Sequence, residues 1–206
     1  SITNGGALCA TNRAGTALLD VQNGTVTLDS GGTILTDRLT LPYASGTFDF
    51  RGGTLDTRHA WVSNGTAFVV GDGATAATLA LRGGTNVFAH GCVIREAGAL
   101  TGSGTILGTV TNGGMIAAGR SGPGTLTITG SLNLTSDSML FFDLDTPGVA
   151  GGGTNDVIVV QGDADLAGTL RITPLAGFAC GTYSLITCSG TLLGNTLSLS
   201  RERPRE

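Results

Sequence analysis

Apolar and polar residues alternate along nearly the whole chain, in short runs such as ALLDVQ, TVTLD, RLTL, TFDF, AFVVG, TLALR, TLTITGSLNL, TLRIT, TYSLIT and TLSLS. A period of two marks strands that bury one face and leave the other in water. No window carries apolar residues at i, i+3, i+4 and i+7, and glycine and threonine are too dense for helix interiors. Each run is bounded by NG, SG, GG or DG, dipeptides that tolerate the positive φ of tight turns. The pattern predicts strands of about four to six residues, one every 8–12 residues or so.

The strands carry a refrain: VTLDSGGTI (26–34), FDFRGGTL (48–55) and LALRGGTNV (79–87) each end an alternating run in Gly-Gly-Thr. The triplets begin at 31, 52 and 83, so the intervals are 21 and 31 residues. They correspond to one and one-and-a-half turns of a solenoid with about 20 residues per repeat. A Greek-key sandwich has no reason to repeat its letters, and it usually wants aromatic anchors in its core. Aromatics are only 5% of this chain. The all-β reading is therefore a β-helix, whose rungs stack about 4.8 Å apart. Near Gly98 the letters change, and after Leu144 a glycine-rich stretch (145–156) interrupts them as a loop bulging from a rung or a linker between modules. The chain divides into a strand-repeat region at 1–97, a second region of the same helix at 98–200, and a charged tail at 201–206.

Composition narrows the function classes. Glycine supplies 35 residues without a Gly-X-Y period, which excludes collagen. All 11 basic residues are arginines, three of them in the last six positions, and the net charge is −4. That distribution offers no patch for nucleic acid. No apolar run approaches the ~18 residues of a membrane span, and Ser1 does not open a signal peptide. Any export signal or anchor is thus expected outside the chain.

Four cysteines, Cys9, Cys92, Cys180 and Cys188, allow three pairings. A Cys180–Cys188 disulfide is the candidate, against buried free thiols. Eight residues of extended strand span about 26 Å, whereas a disulfide needs Cα atoms within about 7 Å, so the bridge requires a reversal, for which Gly181 is the candidate. The cysteine spacing, with His59 and His90 remote from any pair, argues against a structural zinc site.

The segment GTILGTVTNGGMIAAGRSGPGTLTITG (104–130) resembles the passenger-associated transport repeat of bacterial autotransporters. SMLFFDLD (138–145), TNDVIVVQGDADLAGTLRI (154–172) and GFACGTYSLIT (177–187) continue that pattern. Ala118 stands where the family usually has proline. The N-terminal half is similar to autotransporter-associated strand repeats. The resemblance implies a right-handed parallel β-helix of single-stranded, pectin-lyase-like architecture, exposed on the bacterial surface or secreted. It also implies C-terminal rungs that form a stable seed for folding during export.

Because pectinases share the β-helix, an enzyme must be weighed. Fragments of their vocabulary are present as TND (154–156), DAD (163–165), AHG (89–91) and RIT (171–173). Inverting glycoside hydrolysis pairs a general acid with a base that activates water, yet here the His-Gly element precedes the carboxylates instead of following them. A lyase needs a base beside a calcium-bridged uronate, and with no lysine only Arg95, Arg120 and Arg171 are left to supply it. GDGA (71–74) and GDAD (162–165) read as turns rather than calcium repeats, and NGT at 23–25 and 64–66 likewise reads as turns. No catalytic, cofactor or metal residues are assigned. Trp61, beside Arg58 and His59, is either a sugar-stacking platform or a rung filler. The reading is a non-enzymatic stalk or adhesin whose partners are surface glycans or other cells. A self-assembling filament, joined through open strand edges, is the alternative, with a carbohydrate-active enzyme behind both.

Overall fold

In the computed structural model residues 1–194 and 197–200 are described, so the tail at 201–206 lies outside the described residues. Among them the chain forms 21 strands and no helix, and nothing helical is long and apolar enough to cross a membrane. Thirteen strands make one sheet, six a second and two a third. One pass of the chain shows the plan. Strand Gly53–Val62 lies in the large sheet, Phe68–Val70 in the second, and Ala77–Phe88 returns to pair in parallel with Gly53–Val62. The alternation written in the sequence thus builds stacked parallel sheets. Among the described residues no sheet closes on itself, and the arrangement is compatible with a β-helix or solenoid.

Stacking puts like residues in columns. Leu8, Ile34, Leu55, Leu79, Leu100, Ile116, Leu140, Leu170 and Leu199 succeed one another in register. The six from Ile34 to Leu140 are wholly buried. The second sheet supplies Phe68, Cys92, Val110, Leu132, Ala164 and Leu192. Each buried leucine is worth about 1.5–3 kcal/mol, and a one-residue slip would turn its strand's apolar side chains to water, so the register is strongly specified. Both columns end at exposed residues, Leu192 at 65% and Leu199 at 57%.

Several strands are longer than the predicted four to six residues. Thr33–Leu41, Gly53–Val62, Ala77–Phe88 and Gly98–Leu107 bend through a corner without leaving the large sheet. From there on the passes split, and Met115–Ala117 and Thr125–Ile128 pair with the two halves of Gly98–Leu107. The corner inverts the parity of the pattern. In Ala77–Phe88 the residues before the bend that join the core cluster, Ala77, Leu79 and Leu81, are odd, while after it the buried Asn86 and Phe88 are even. The third Gly-Gly-Thr therefore lies inside a strand rather than in a turn between strands. Five residues (82–86) there face three (58–60) on the neighbouring strand, as in a β-bulge.

The change of letters near Gly98 falls within continuous pairing, since Gly98–Leu107 aligns with Ala77–Val87. Residues 145–156 form a loop between Met139–Leu144 and Val157–Val160, both in the large sheet.

Candidate functional site

Just past the corner, the outward faces of three successive strands form a groove of about 390 Å³, with the loop at 11–17 as its wall. Register assembles it. Arg38 pairs with His59 and Thr40 with Trp61, while Val87 follows Trp61 on the next strand. Two buried threonines set the corner on which these residues stand. Thr36 and Thr57 are register partners, and their hydroxyls donate to the carbonyls two residues on, Thr36 to Arg38 at 2.8 Å and Thr57 to His59 at 3.0 Å.

Trp61 is 55% exposed, and its Nε1–H donates to Ser63 Oγ at 3.2 Å, which orients the ring along its own strand. His59 Nδ1 lies 3.3 Å from both the amide nitrogen and the carbonyl oxygen of Thr85. This close approach requires Gly84, which has φ +68°; a Cβ there would stand 2.5 Å from His59 Cε1. The wall is tied down as well. Asn12 accepts from the Thr16 amide at 2.9 Å, and its own amide donates to Asp37 Oδ2 at 2.8 Å. Behind Gly15 sits the Arg58 guanidinium, 2.9 Å from where a Cβ would be.

A charged network lies beside the groove. Asp56, 5% exposed, pairs through Oδ1 with Arg82 Nε at 2.6 Å and through Oδ2 with Arg120 Nη2 at 2.5 Å. Arg82 Nη2 also donates to Thr36 O at 2.6 Å and stands 3.7 Å from Asp37 Oδ1. Asp37 in turn holds the wall loop at Asn12, so the network ties together chain segments from residue 12 to residue 120. Sequence reasoning singled out Arg120 only as a possible base and missed Asp37, Asp56, Arg82 and Arg38, because nothing short of the register relates them.

The residues that evoked pectinase chemistry have other partners. Asp156 accepts from the Gly124 amide at 2.6 Å and from the Asp143 amide at 2.7 Å. Asn155 accepts from the Asp145 amide and donates to the carbonyls of Thr146 and Val149, which pins the glycine-rich loop. Asp163 accepts from the Thr191 amide at 2.7 Å. His90 is exposed beside the turn residue Gly91. Of the three arginines, Arg95 donates to Asp72 O, Arg120 pairs with Asp56, and Arg171 lies over the Phe141 ring. Among the described residues, no group of three or more His, Cys, Asp or Glu is placed to hold a metal ion.

Cys180 and Cys188 are free thiols here, Cys180 exposed and Cys188 donating to Gly162 O at 3.1 Å. Their bridge is a proposal for oxidising conditions. Cys92 is enclosed in the second-sheet column, and burial pushes its thiol up to about 12, which keeps it protonated and inert.

Burial also pushes the Asp156 carboxyl up to about 6, against the pull of its two amide donors. The folded chain thus holds this proton more tightly than the unfolded chain, whose value is 3.8. The stability it contributes is complete below 3.8 and is lost as pH rises through about 6. Asp20, held low by Thr40 and Gln22, and Asp72, held low by the Thr75 and Ala74 amides, act in the opposite sense and only below 3.8. Unfolding free energy should therefore fall between those limits as pH rises, and a carboxyl NMR titration should place Asp156 near 6. A midpoint at or below 3.8 would overturn this.

No protein-family profile and no solved structure matches the chain. Over 92 residues, 44% of its length, the chain is 45% identical to the adhesin BmaC autotransporter of Brucella suis biovar 1 (strain 1330). Those residues span 3% of that much longer relative. The chain is thus similar, over somewhat less than half its length, to an autotransporter adhesin, in keeping with the autotransporter resemblance read from its sequence.

Proposed function

We propose that this chain is a stretch of right-handed parallel β-helix from a surface-exposed or secreted, non-enzymatic adhesin of autotransporter type. Its regions at 1–97 and 98–200 are successive parts of one helix, and its partners are glycans on surfaces or on other cells. The observation that carries this reading is the 45% identity to an autotransporter adhesin. It is supported by columns of like residues in parallel register and by carboxylates engaged in holding loops and ion pairs. A rod of this kind presents side chains from many rungs on one flank, which suits attachment better than turnover.

Beads coated with the 206-residue chain should bind epithelial cells well above beads coated with a carrier protein. The same preparation should release neither reducing ends nor unsaturated uronate from polygalacturonate. Cell binding no better than the carrier, or steady release of either product, would sink the reading.

A further inference from the structure

We propose that the groove at Arg38, His59 and Trp61 binds a glycan through a sugar that carries a carboxylate. This rests on the adhesive, glycan-directed reading above and names the ligand class and the site.

Shape and charge both point there. At about 390 Å³ the groove has the size of a small-ligand site. An exposed indole, held at one edge by Ser63, offers the flat apolar face on which a pyranose ring stacks. Across the rung from it, Thr40 and Val87 flank that face. The polar end is cationic. Among the described residues, Arg38 and Arg58 take part in no ion pair, whereas Arg51, Arg82 and Arg120 all do. Arg38 stands one strand from His59 and, like Trp61, projects from the outward face, since Leu39 and Ala60 are the buried residues between.

The nearby carboxylates are already engaged. Asp20 receives the Thr40 hydroxyl and the Gln22 amide, while Asp37 receives the Asn12 amide and faces Arg82. A guanidinium left unpaired beside an aromatic face is matched by a sugar carboxylate, which it can bind through two parallel hydrogen bonds. A neutral sugar would keep the stacking and forgo that pairing.

Trp61 is the chain's one tryptophan, so selectively excited tryptophan emission reports on this groove alone. The full chain is titrated with sialyllactose, with a hyaluronan tetrasaccharide whose carboxylate is a glucuronate, and with lactose. At least one acidic sugar should shift Trp61 emission saturably and bind about tenfold more tightly than lactose, the ratio expected of one charge-assisted pairing. The two acidic sugars distinguish a sialic acid from a uronate as the source of the carboxylate. Arg38→Gln should abolish the preference without changing the lactose response, and Trp61→Ala should eliminate binding of all three by calorimetry. Both side chains are exposed, and an unchanged unfolding midpoint verifies the fold of each variant. Equal affinity for lactose and the acidic sugars, or a preference that survives Arg38→Gln, overturns the proposal. So does a chain whose cell binding is intact in Trp61→Ala while no sugar perturbs Trp61, a result that leaves the adhesive reading standing. Loss of cell binding by the unmodified chain would instead remove the adhesive reading itself.

Discussion

Replacing Asp56 with alanine should lower the free energy of unfolding by about 3 kcal/mol, the low edge of the range for breaking a buried ion pair. The carboxylate is nearly enclosed and is the only group that touches both Arg82 and Arg120 among the ion pairs of the described residues. Without it, Arg82 keeps the Thr36 carbonyl and a distant Asp37, and its charge stays three-quarters out of water. The two arginines should not contribute equally. Arg120 is half exposed, so Arg120→Ala should cost under about 1 kcal/mol. Chemical denaturation of both variants checks this, and equal losses would show that burial of Arg82 is not what sets the penalty. Because Asp37 anchors the wall loop through Asn12, the Asp56 variant should also exchange the Asn12 amide faster, although that bond itself is untouched.

Asn86→Val should stabilise the chain, by about 1–3 kcal/mol. Asn86 is wholly buried, and neither atom of its amide has a hydrogen-bond partner. It interrupts an inward apolar column that runs Leu19, Leu39, Ala60, then Asn86, Ile106, Ile128 and Val160. Asn112 is an instructive contrast. It is equally buried, but its amide donates to Gly114 O at 3.0 Å and accepts from the Gly114 amide at 3.3 Å, so its polar atoms are satisfied locally. Valine suits a strand and has no polar atoms to strand in the core. A lower unfolding midpoint for Asn86→Val would mean that this amide makes a compensating bond, and the same substitution at Asn112 should be destabilising.

The difference between these two asparagines also shows where the sequence stops being readable. LALRGGTNV, taken at period two from Leu79, directs Val87 to the core and Asn86 to water. The structure does the reverse, because the bend at Gly83–Gly84 adds residues and inverts the parity. ILTDRLTL is easier to interpret, since Leu39 and Leu41 make the inversion at Asp37 visible in the letters. Within the groove, His59 and Trp61 are two residues apart on one strand and so predictably share a face. Arg38 joins them only through stacking, 21 residues earlier in the chain. The Asp37, Asp56, Arg82 and Arg120 network spans 83 residues and has no local signature at all.

The sequence by itself determined that the chain is a stack of short strands, because alternation and glycine turns are local properties that each segment expresses alone. It also carried a resemblance to autotransporter passengers, which similarity to an autotransporter adhesin over 44% of the chain bears out. Only the tertiary structure decided which strand lies on which, and therefore which side chains become neighbours. That choice is made by the burial of whole columns of leucine and isoleucine at once, a cooperative quantity that no single segment contains. The groove and the ion network follow from that register, as outward-facing consequences of how the core is aligned.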